Sequence, residues 1–419
     1  MKKAAIQKIS ANEIINGRGV PAVEVELVTS QGLRVTASAP SGVSVSSHEA
    51  VEIRDGGPRY LGKGVLTAVK NINQKIAPRL LGLEVTEQAL LDRAMLELDG
   101  TPDKSNLGGN AITAVSLAAA RAGALSLGLE PYQYLGGARA TAIPVMCPNM
   151  ISGSKTAGNE LDFEDYLLVP FGFESIQEAL RAGVEVFHHL HNRLKERFGL
   201  IAQITALAPP LKTNEEAFEA ILAAIKEAGY EGRIGLGLDV AAGNCYDSAK
   251  GVYRLRRGDV DADGMIAYYR ELTGRYPILF IEDGLMEDDF AGFARLTAQV
   301  NCLVVGDDLF ATNQNRLAQG AALKAANAIL FKVNQAGTVS EALATATAAH
   351  FRKYDVVASV RSGETDDAIQ ADSAVAAGAR LMKIGAPLRG EMITKYNRMM
   401  AISRKLGPAA VFRGHEFSL

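Results

Sequence analysis

Charged residues that follow short apolar runs at regular intervals constrain the fold of this sequence most. Glu282, Asp307 and Lys332 are separated by 25 residues each, and each follows a run with the apolar, β-prone composition of a buried strand. The interval accommodates one strand, one helix and their connections. Charged residues at the carboxyl-terminal ends of successive parallel strands are typical of a (β/α)8 barrel, so the pattern predicts an α/β fold.

Three carboxylates are placed to share one site at such a barrel face. Asp239 ends the apolar run 234–238, and Glu282 and Asp307 follow the runs 278–281 and 303–306. Three hard oxygen ligands with room for water suit Mg²⁺. The alternative is that each carboxylate caps a helix. Two of the three have a second carboxylate beside them and lysines follow, so we expect a magnesium site.

Two lysines and one arginine follow later strands. Lys332 and Lys383 would lie near the cation, where burial and cation repulsion lower the pKa of a lysine. A neutral lysine is a competent general base for a carbon acid, and the cation would stabilise the developing enolate. Arg361 and Ser362, after the run 356–360, suit a phosphate or carboxylate. A structural salt bridge is the alternative for Arg361 alone.

The composition excludes several classes of partner. The net charge of −3 gives no electrostatic reason to expect nucleic acid or an anionic membrane as a partner. The cysteines Cys147, Cys245 and Cys302 are far apart and odd in number, which suits a reducing compartment. The first residues lack the apolar region of a signal peptide, and no apolar run is long enough to span a bilayer. We expect a cytoplasmic protein.

The periodicity changes once along the chain. Residues 1–136 read as strands followed by helices, which predicts an α+β domain, and residues 137–419 alternate between strand and helix. The stretch 39–49 is rich in hydroxyl side chains. It is either an ordinary linker or a mobile flap whose Ser44 reaches a ligand or a metal.

Short motifs spread along nearly the whole chain resemble those of the enolase family. They are Pro40-Ser41-Gly42, His48-Glu49-Ala50, Leu98-Asp99-Gly100-Thr101, Gly306-Asp307-Asp308-Leu309, Lys332-Val333-Asn334-Gln335, Arg361-Ser362-Gly363-Glu364-Thr365 and Lys395-Tyr396-Asn397. The resemblance implies an amino-terminal α+β domain, a barrel with a variant ββαα start and a homodimer.

The resemblance also implies roles for individual residues. Asp239, Glu282 and Asp307 would hold a first Mg²⁺, and Ser44 would reach a second one. Lys332 would be the base, and Lys383 would bind the substrate carboxylate together with the metals. Arg361 and Ser362 would bind the substrate phosphate.

The departures from the family pattern cluster on one side of the predicted site. Thr156 and Val360 stand where enolases carry histidines, and Ile204 replaces the glutamate that handles the departing hydroxyl. Glu164-Asp165 replaces Gln-Glu, which shortens one catalytic carboxylate. We therefore expect Thr156, Ile204, Val360 and Glu164 to contact the substrate and Asp165 to be catalytic.

These departures indicate a changed reaction. We expect a Mg²⁺-dependent enolase homologue that acts on a small phosphorylated or phosphonylated carboxylate, similar to carboxyphosphonoenolpyruvate synthase of phosphonate biosynthesis. The first alternative is a glycolytic enolase in which Asp165 or Glu164 serves as the acid. The second is a non-catalytic binding protein with this fold, against which the intact carboxylates and Lys332 argue.

Overall fold

The computed structural model describes residues 4–42 and 46–418, and Thr156 by its backbone alone. The expectation that Ser44 reaches a metal therefore lies outside the described residues.

The amino-terminal part is a three-stranded antiparallel meander covered by helices. Its strands are β1 (Ile6–Ile15), β2 (Pro21–Thr29) and β3 (Arg34–Ala39), in that order across the sheet. Its helices are α1 (Leu66–Asn71), α2 (Ala77–Leu80), α3 (Gln88–Asp99), α4 (Gly109–Ser126) and α5 (Pro131–Gly136). A π-helical turn, Ile72–Ile76, separates α1 from α2.

Alternation along β2 explains how this part packs. Val23, Val25 and Leu27 are fully buried on one face of the sheet, as expected for a strand with one face toward a core. The alanine-rich helix α4 packs against β2 and β3, because its small side chains allow a close approach to the sheet.

The rest of the chain alternates between strands and helices. The first half contains β4 (Ala142–Ile143), β5 (Val145–Ser152), α6 (Ser154–Ala157), β6 (Asp165–Val169), α7 (Ile176–Phe198), β7 (Ala202–Gln203), β8 (Leu207–Ala208), α8 (Asn214–Glu227), β9 (Gly235–Asp239), β10 (Tyr246–Asp247), β11 (Val252–Leu255), β12 (Gly258–Val260) and α9 (Ala262–Arg275). The second half contains β13 (Ile278–Glu282), α10 (Phe290–Thr297), β14 (Leu303–Gly306), α11 (Gln314–Leu323), β15 (Ala328–Phe331), α12 (Val333–Ala336), α13 (Val339–Phe351), β16 (Asp355–Ser359), α14 (Ile369–Ala376), β17 (Leu381–Ile384), α15 (Gly390–Leu406) and β18 (Val411–Phe412).

Eight of these strands close into a barrel. Their order is β5, β6, β9, β13, β14, β15, β16 and β17, and β17 pairs with β5 to complete the circle. β6 runs antiparallel to both of its neighbours, whereas the other pairs are parallel. Two strands are thus followed by the helices α7 and α8 before β9, which confirms the predicted ββαα start.

The inside of the barrel is a packed core. It is formed by apolar side chains that include Leu167, Phe280, Leu330 and Leu381. Gly237 on β9 makes room for the ring of Phe280, because a Cβ at that position would lie 2.1 Å from a ring carbon. Among the described residues the interior is therefore filled by apolar side chains, and the candidate polar groups lie at the strand ends.

Hydrogen bonds from the amino-terminal part hold the chain that follows β15. Thr113 on α4 donates its hydroxyl to the carbonyl of Gly337 at 2.9 Å. The buried carboxylate of Asp92 on α3 accepts from the amide of Ser340 at 3.0 Å. These contacts fix the segment just beyond Lys332.

No single helix among the described residues is both long enough and apolar enough to cross a membrane. One sharply bent pair, Gly109–Ser126 with Pro131–Arg139, meets the criterion by length and composition alone.

A fully buried ion pair fixes the loop after β16. Lys395 on α15 and Glu364 are both 0 % exposed, with their charged atoms 3.2 Å apart. Lys395 also donates to the carbonyl of Thr365 at 2.5 Å, and Glu364 accepts from the amide of Arg361 at 2.9 Å. The pair therefore determines where the backbone of Arg361 lies.

Replacing Lys395 should destabilise the protein strongly. Lys395→Met leaves the Glu364 carboxylate buried without its counter-charge, which costs about 3–5 kcal/mol of unfolding free energy. Urea denaturation measures this loss. Lys405→Met is the matched control on the same helix, because Lys405 is 57 % exposed and its pair contributes at most about 1 kcal/mol. Equal losses in the two variants would show that burial of the Glu364 pair is unimportant.

Candidate active site

The barrel brings the predicted carboxylates to one mouth. Asp239 and Glu282 are the last residues of β9 and β13 and lie opposite one another in register. Asp307 directly follows β14, on the next strand around the barrel. Parallel strands end at the same face, so the regular spacing in the sequence becomes proximity in space.

Lys383, on β17, contacts two of these carboxylates. Its ammonium donates to Glu282 Oε1 at 2.8 Å and also to Asp239 Oδ2. Burial lowers the pKa of Lys383, but Asp239 and Glu282 outweigh burial and place the pKa well above its usual range. The expected lowering of this pKa depends on a neighbouring cation, whereas the rise comes from the two carboxylates that contact the ammonium. Lys383 is therefore suited to binding an anion.

Lys332 is paired with the third carboxylate. Its Nζ lies 2.5 Å from Asp307 Oδ2, and Gln335 donates to Asp307 Oδ1 at 2.7 Å. Burial raises the pKa of Asp307, but Lys332 outweighs it, so the net shift is downward. The sequence predicts a strand that contains Lys332 and is closed by Asn334 and Gln335, whereas the strand ends at Phe331 and Lys332 precedes the helical turn α12. That turn folds Gln335 back onto Asp307.

The donors at this mouth fit Mg²⁺. Asp239, Glu282 and Asp307 supply carboxylate oxygens alone, which magnesium prefers. Glu282 Oε2 is buried and has no hydrogen-bond partner among the described residues, an arrangement that a cation would satisfy. Burial and the neighbouring Asp239 raise the pKa of Glu282 well above its usual range, as expected where like charges crowd.

Asp283 holds the backbone at Asp307 and Asp308 in place. Its two carboxylate oxygens accept the backbone amides of Asp307 and Asp308 at 2.9 and 2.8 Å. Its φ of 43° is in the left-handed region, which aspartate tolerates better than most residues. The sequence shows Asp283 beside Glu282, but only the fold reveals that it holds the neighbouring strand end.

Arg361 and Ser362 line a cavity of about 50 Å³ together with Lys383 and Asp165. Arg361 is buried and donates to both oxygens of Glu49, at 2.6 and 3.3 Å. Burial lowers the pKa of Arg361, but Glu49 outweighs it and keeps the arginine charged. Glu49 comes from the amino-terminal part. The motif around it is visible in the sequence, but its partner, more than 300 residues away, is not.

Asp165 lines the same cavity as Val360, which is another position where the chain departs from the family pattern. It accepts from Ser152 Oγ at 2.9 Å and from the amide of Asn149. Burial raises the pKa of Asp165 to about 6, with Lys383 opposing and Asp239 adding to the effect. Val360 and Thr205 line the same cavity, so the structure brings Val360 and Asp165 together, as expected.

The other predicted contact residues lie differently. Ile204 is half-buried and is not among the described residues that line this cavity, whereas its neighbour Thr205 is. The carbonyl of Ile204 accepts from Arg389 at 2.7 Å. Glu164 lines a separate acidic cavity of about 300 Å³ with Asp239 and Asp307. The side chain of Thr156 is outside the described part of the structure, so its role stays a prediction.

The fold and the site define a two-part α/β-barrel protein with carboxylates and lysines meeting at the carboxyl-terminal strand ends. Residues 6–135 match the family model "Enolase, N-terminal domain", and residues 140–419 match "Enolase, C-terminal TIM barrel domain". The chain belongs to the enolase family.

Several curated relatives cover nearly the whole chain. The protein named "Enolase" of Methanopyrus kandleri is 47 % identical over 415 residues, which is 97 % of each chain. Those of Methanothrix thermoacetophila and Pyrococcus furiosus are each 45 % identical and cover 98 % of this chain and 98 % and 97 % of their own.

These relatives correct one expectation. The expectation of a carboxyphosphonoenolpyruvate-synthase-like reaction in phosphonate biosynthesis is wrong, because curated relatives at 45–47 % identity over almost the full length carry the name "Enolase". They support the first alternative, a glycolytic enolase. Similarity over almost the full chain outweighs the few departures at Thr156, Glu164-Asp165, Ile204 and Val360.

Magnesium binding should depend on Glu282. Glu282→Gln keeps the volume of the side chain but replaces one buried oxygen with an amide, so Mg²⁺ affinity should fall at least about ten-fold. Titration calorimetry with MgCl₂ measures the change. Asp288→Asn is the control, since Asp288 is a largely exposed carboxylate. Unchanged affinity in Glu282→Gln would remove Glu282 from the metal site.

Proposed function

We propose that this protein catalyses the Mg²⁺-dependent, reversible dehydration of 2-phosphoglycerate to phosphoenolpyruvate. The observation that carries the proposal is the arrangement of two buried lysines on three carboxylates, Lys332 on Asp307 and Lys383 on Asp239 and Glu282. The names of the curated relatives support the same reaction. The substrate is a small phosphorylated carboxylate.

Mg²⁺ bound at the carboxylates would offset the charge of the substrate carboxylate and make the C2 proton easier to remove. Lys383 stays charged and binds that carboxylate. Arg361 and Ser362, which share its cavity, bind the phosphate, since a guanidinium and a hydroxyl both donate to phosphate oxygens. Together these contacts would hold the two charged ends of the substrate.

Lys332 removes the C2 proton. Its side chain contacts Asp307 and is almost completely buried. In its deprotonated form, a positioned lysine amine is an effective general base for a carbon acid. The lysine gains the proton, and the electron pair of the C2–H bond moves into the substrate carboxylate to give an enolate. In a second step that electron pair forms the C2–C3 double bond as the C3 hydroxyl leaves.

Asp165 donates the proton that lets the hydroxyl leave as water. Asp165 lines the cavity that contains Lys383 and Val360, and Ser152 and Asn149 hold its carboxyl group in place. Glu164 is the alternative acid, but its side chain lines the acidic cavity beside Asp239 and Asp307 and accepts from Asn244 at 2.9 Å. Asp165 is therefore better placed for proton donation.

The purified protein should convert 2-phosphoglycerate to phosphoenolpyruvate when Mg²⁺ is present, and Lys332→Ala should abolish the reaction. It should also abolish exchange of the C2 proton with solvent, because that step needs the base. NMR in D₂O follows both processes in one sample. If the unmodified protein shows neither process, it is a non-catalytic member of the fold and the proposal fails.

Asp165→Asn should separate the two halves of the reaction. The amide cannot donate an acidic proton, so dehydration should slow by about 10²- to 10⁴-fold, whereas C2 exchange should continue because Lys332 is intact. The same NMR assay gives both rates. Ser152→Ala is a graded comparison: it removes one contact to the Asp165 carboxyl group, and it should slow dehydration by a smaller factor. Full dehydration activity in Asp165→Asn would assign the acid to another residue.

A further inference from the structure

Glu49, from the amino-terminal part, contacts residues of the candidate active site in the barrel. Its carboxylate is 6 % exposed, and it forms a buried ion pair with Arg361 at 2.6 Å. Both oxygens accept from the guanidinium. A bidentate contact of this kind fixes the plane of an arginine as well as its position.

The carboxylate of Glu49 is also connected by hydrogen bonds to the residues around Lys332. Glu49 Oε1 accepts from Gln335 Nε2 at 3.3 Å, and that nitrogen also donates to Asp307 Oδ1 at 2.7 Å. Thr312 donates to the amide oxygen of Gln335 at 2.7 Å, which fixes the orientation of the amide. Asp307 in turn contacts Lys332. Hydrogen bonds therefore connect Arg361 to Lys332 through Glu49.

A third contact orders the chain just before Glu49. The amide of Ser46 donates to Glu49 Oε1 at 3.2 Å, and the hydroxyl of Ser46 donates to Glu287 at 2.6 Å. The carboxyl-terminal end of the 39–49 stretch is thus held by the carboxylate that holds Arg361.

We infer that Glu49 is a positioning residue that orients Arg361 for a phosphate group and couples it to the Asp307–Lys332 pair. The inference rests on the proposed function for the identity of the full substrate. The chemistry it invokes is recognition of a phosphate dianion by a preoriented guanidinium. Glu49 does not touch the reacting atoms and acts through Arg361 and Gln335.

Two roles for Glu49 predict opposite results. If the carboxylate only compensated the charge of Arg361, its neutralisation would leave more positive potential for the phosphate and would tighten binding. If it positions Arg361, its neutralisation removes one of the two bidentate contacts and lets the guanidinium turn, which weakens binding. The sign of the change in phosphate affinity therefore decides between them.

The test uses the full chain with saturating Mg²⁺ and inorganic phosphate as the probe in titration calorimetry. Glu49→Gln should raise the phosphate Kd and the KM for 2-phosphoglycerate by about ten-fold or more. The value of kcat should fall by a smaller factor through Gln335. Glu49→Asp keeps the charge with a shorter reach and should show an intermediate loss. Tighter or unchanged phosphate binding in Glu49→Gln overturns the inference.

A matched control separates positioning from domain stability. Glu130 also pairs with a barrel arginine, Arg398, at 2.7 Å, but neither residue lines the cavities described for the site. Glu130→Gln should leave the phosphate Kd and the KM unchanged. If Glu49→Gln does not fold, Glu49→Asp alone carries the test, and unchanged affinity in that variant overturns the inference. If the protein binds phosphate but does not dehydrate 2-phosphoglycerate, the proposed function is wrong. The calorimetric comparison of phosphate affinity still tests the role of Glu49 in that case.

Discussion

The structure of the barrel mouth depends on the mutual neutralisation of buried charges. Asp239, Glu282 and Asp307 would repel one another in a site with little water, and burial of an unpaired carboxylate costs several kcal/mol or more. Lys383 and Lys332 offset that cost by direct contact. The same pairing sets the protonation of the site, because it keeps Lys383 charged and Asp307 ionised. Because these carboxylates and lysines contact one another, a cation that binds the carboxylates also changes the electrostatic environment of both lysines.

The two parts of the chain contribute different residues to the site. The barrel supplies the carboxylates and lysines from its strand ends, where the geometry is rigid. The amino-terminal part supplies Glu49, together with the contacts from Thr113 and Asp92 that hold the chain beyond Lys332. Side chains that are already held by packing and hydrogen bonds lose little entropy when a ligand binds. Residues held in this way, such as Arg361 by Glu49, are therefore preorganised to bind an anion.

The departures from the family pattern are best understood as local. Val360 and Thr205 line one side of a small cavity, where Asp165 is held by Ser152 and Asn149. Arg361 and Lys383 line the same cavity, and Lys383 contacts Asp239 and Glu282. Two of the changed positions, Val360 and Asp165, line this cavity, and a change there can alter which residue delivers a proton without altering the substrate. The names of the curated relatives favour an unchanged reaction over a new pathway.

The sequence alone determined the barrel, the positions of its charged strand ends and the family. Regular spacing of Glu282, Asp307 and Lys332 is a local property of the chain, and parallel strands convert it directly into a shared face. Only the tertiary structure decided what each charge contacts. The high pKa of Lys383 depends on carboxylates from two other strands, Glu49 reaches Arg361 from the other part of the molecule, and Thr205 rather than Ile204 lines the cavity beside Asp165. Spacing along a chain specifies which strand end a residue occupies, but packing between distant segments specifies its neighbours, and the neighbours set its charge and its chemistry.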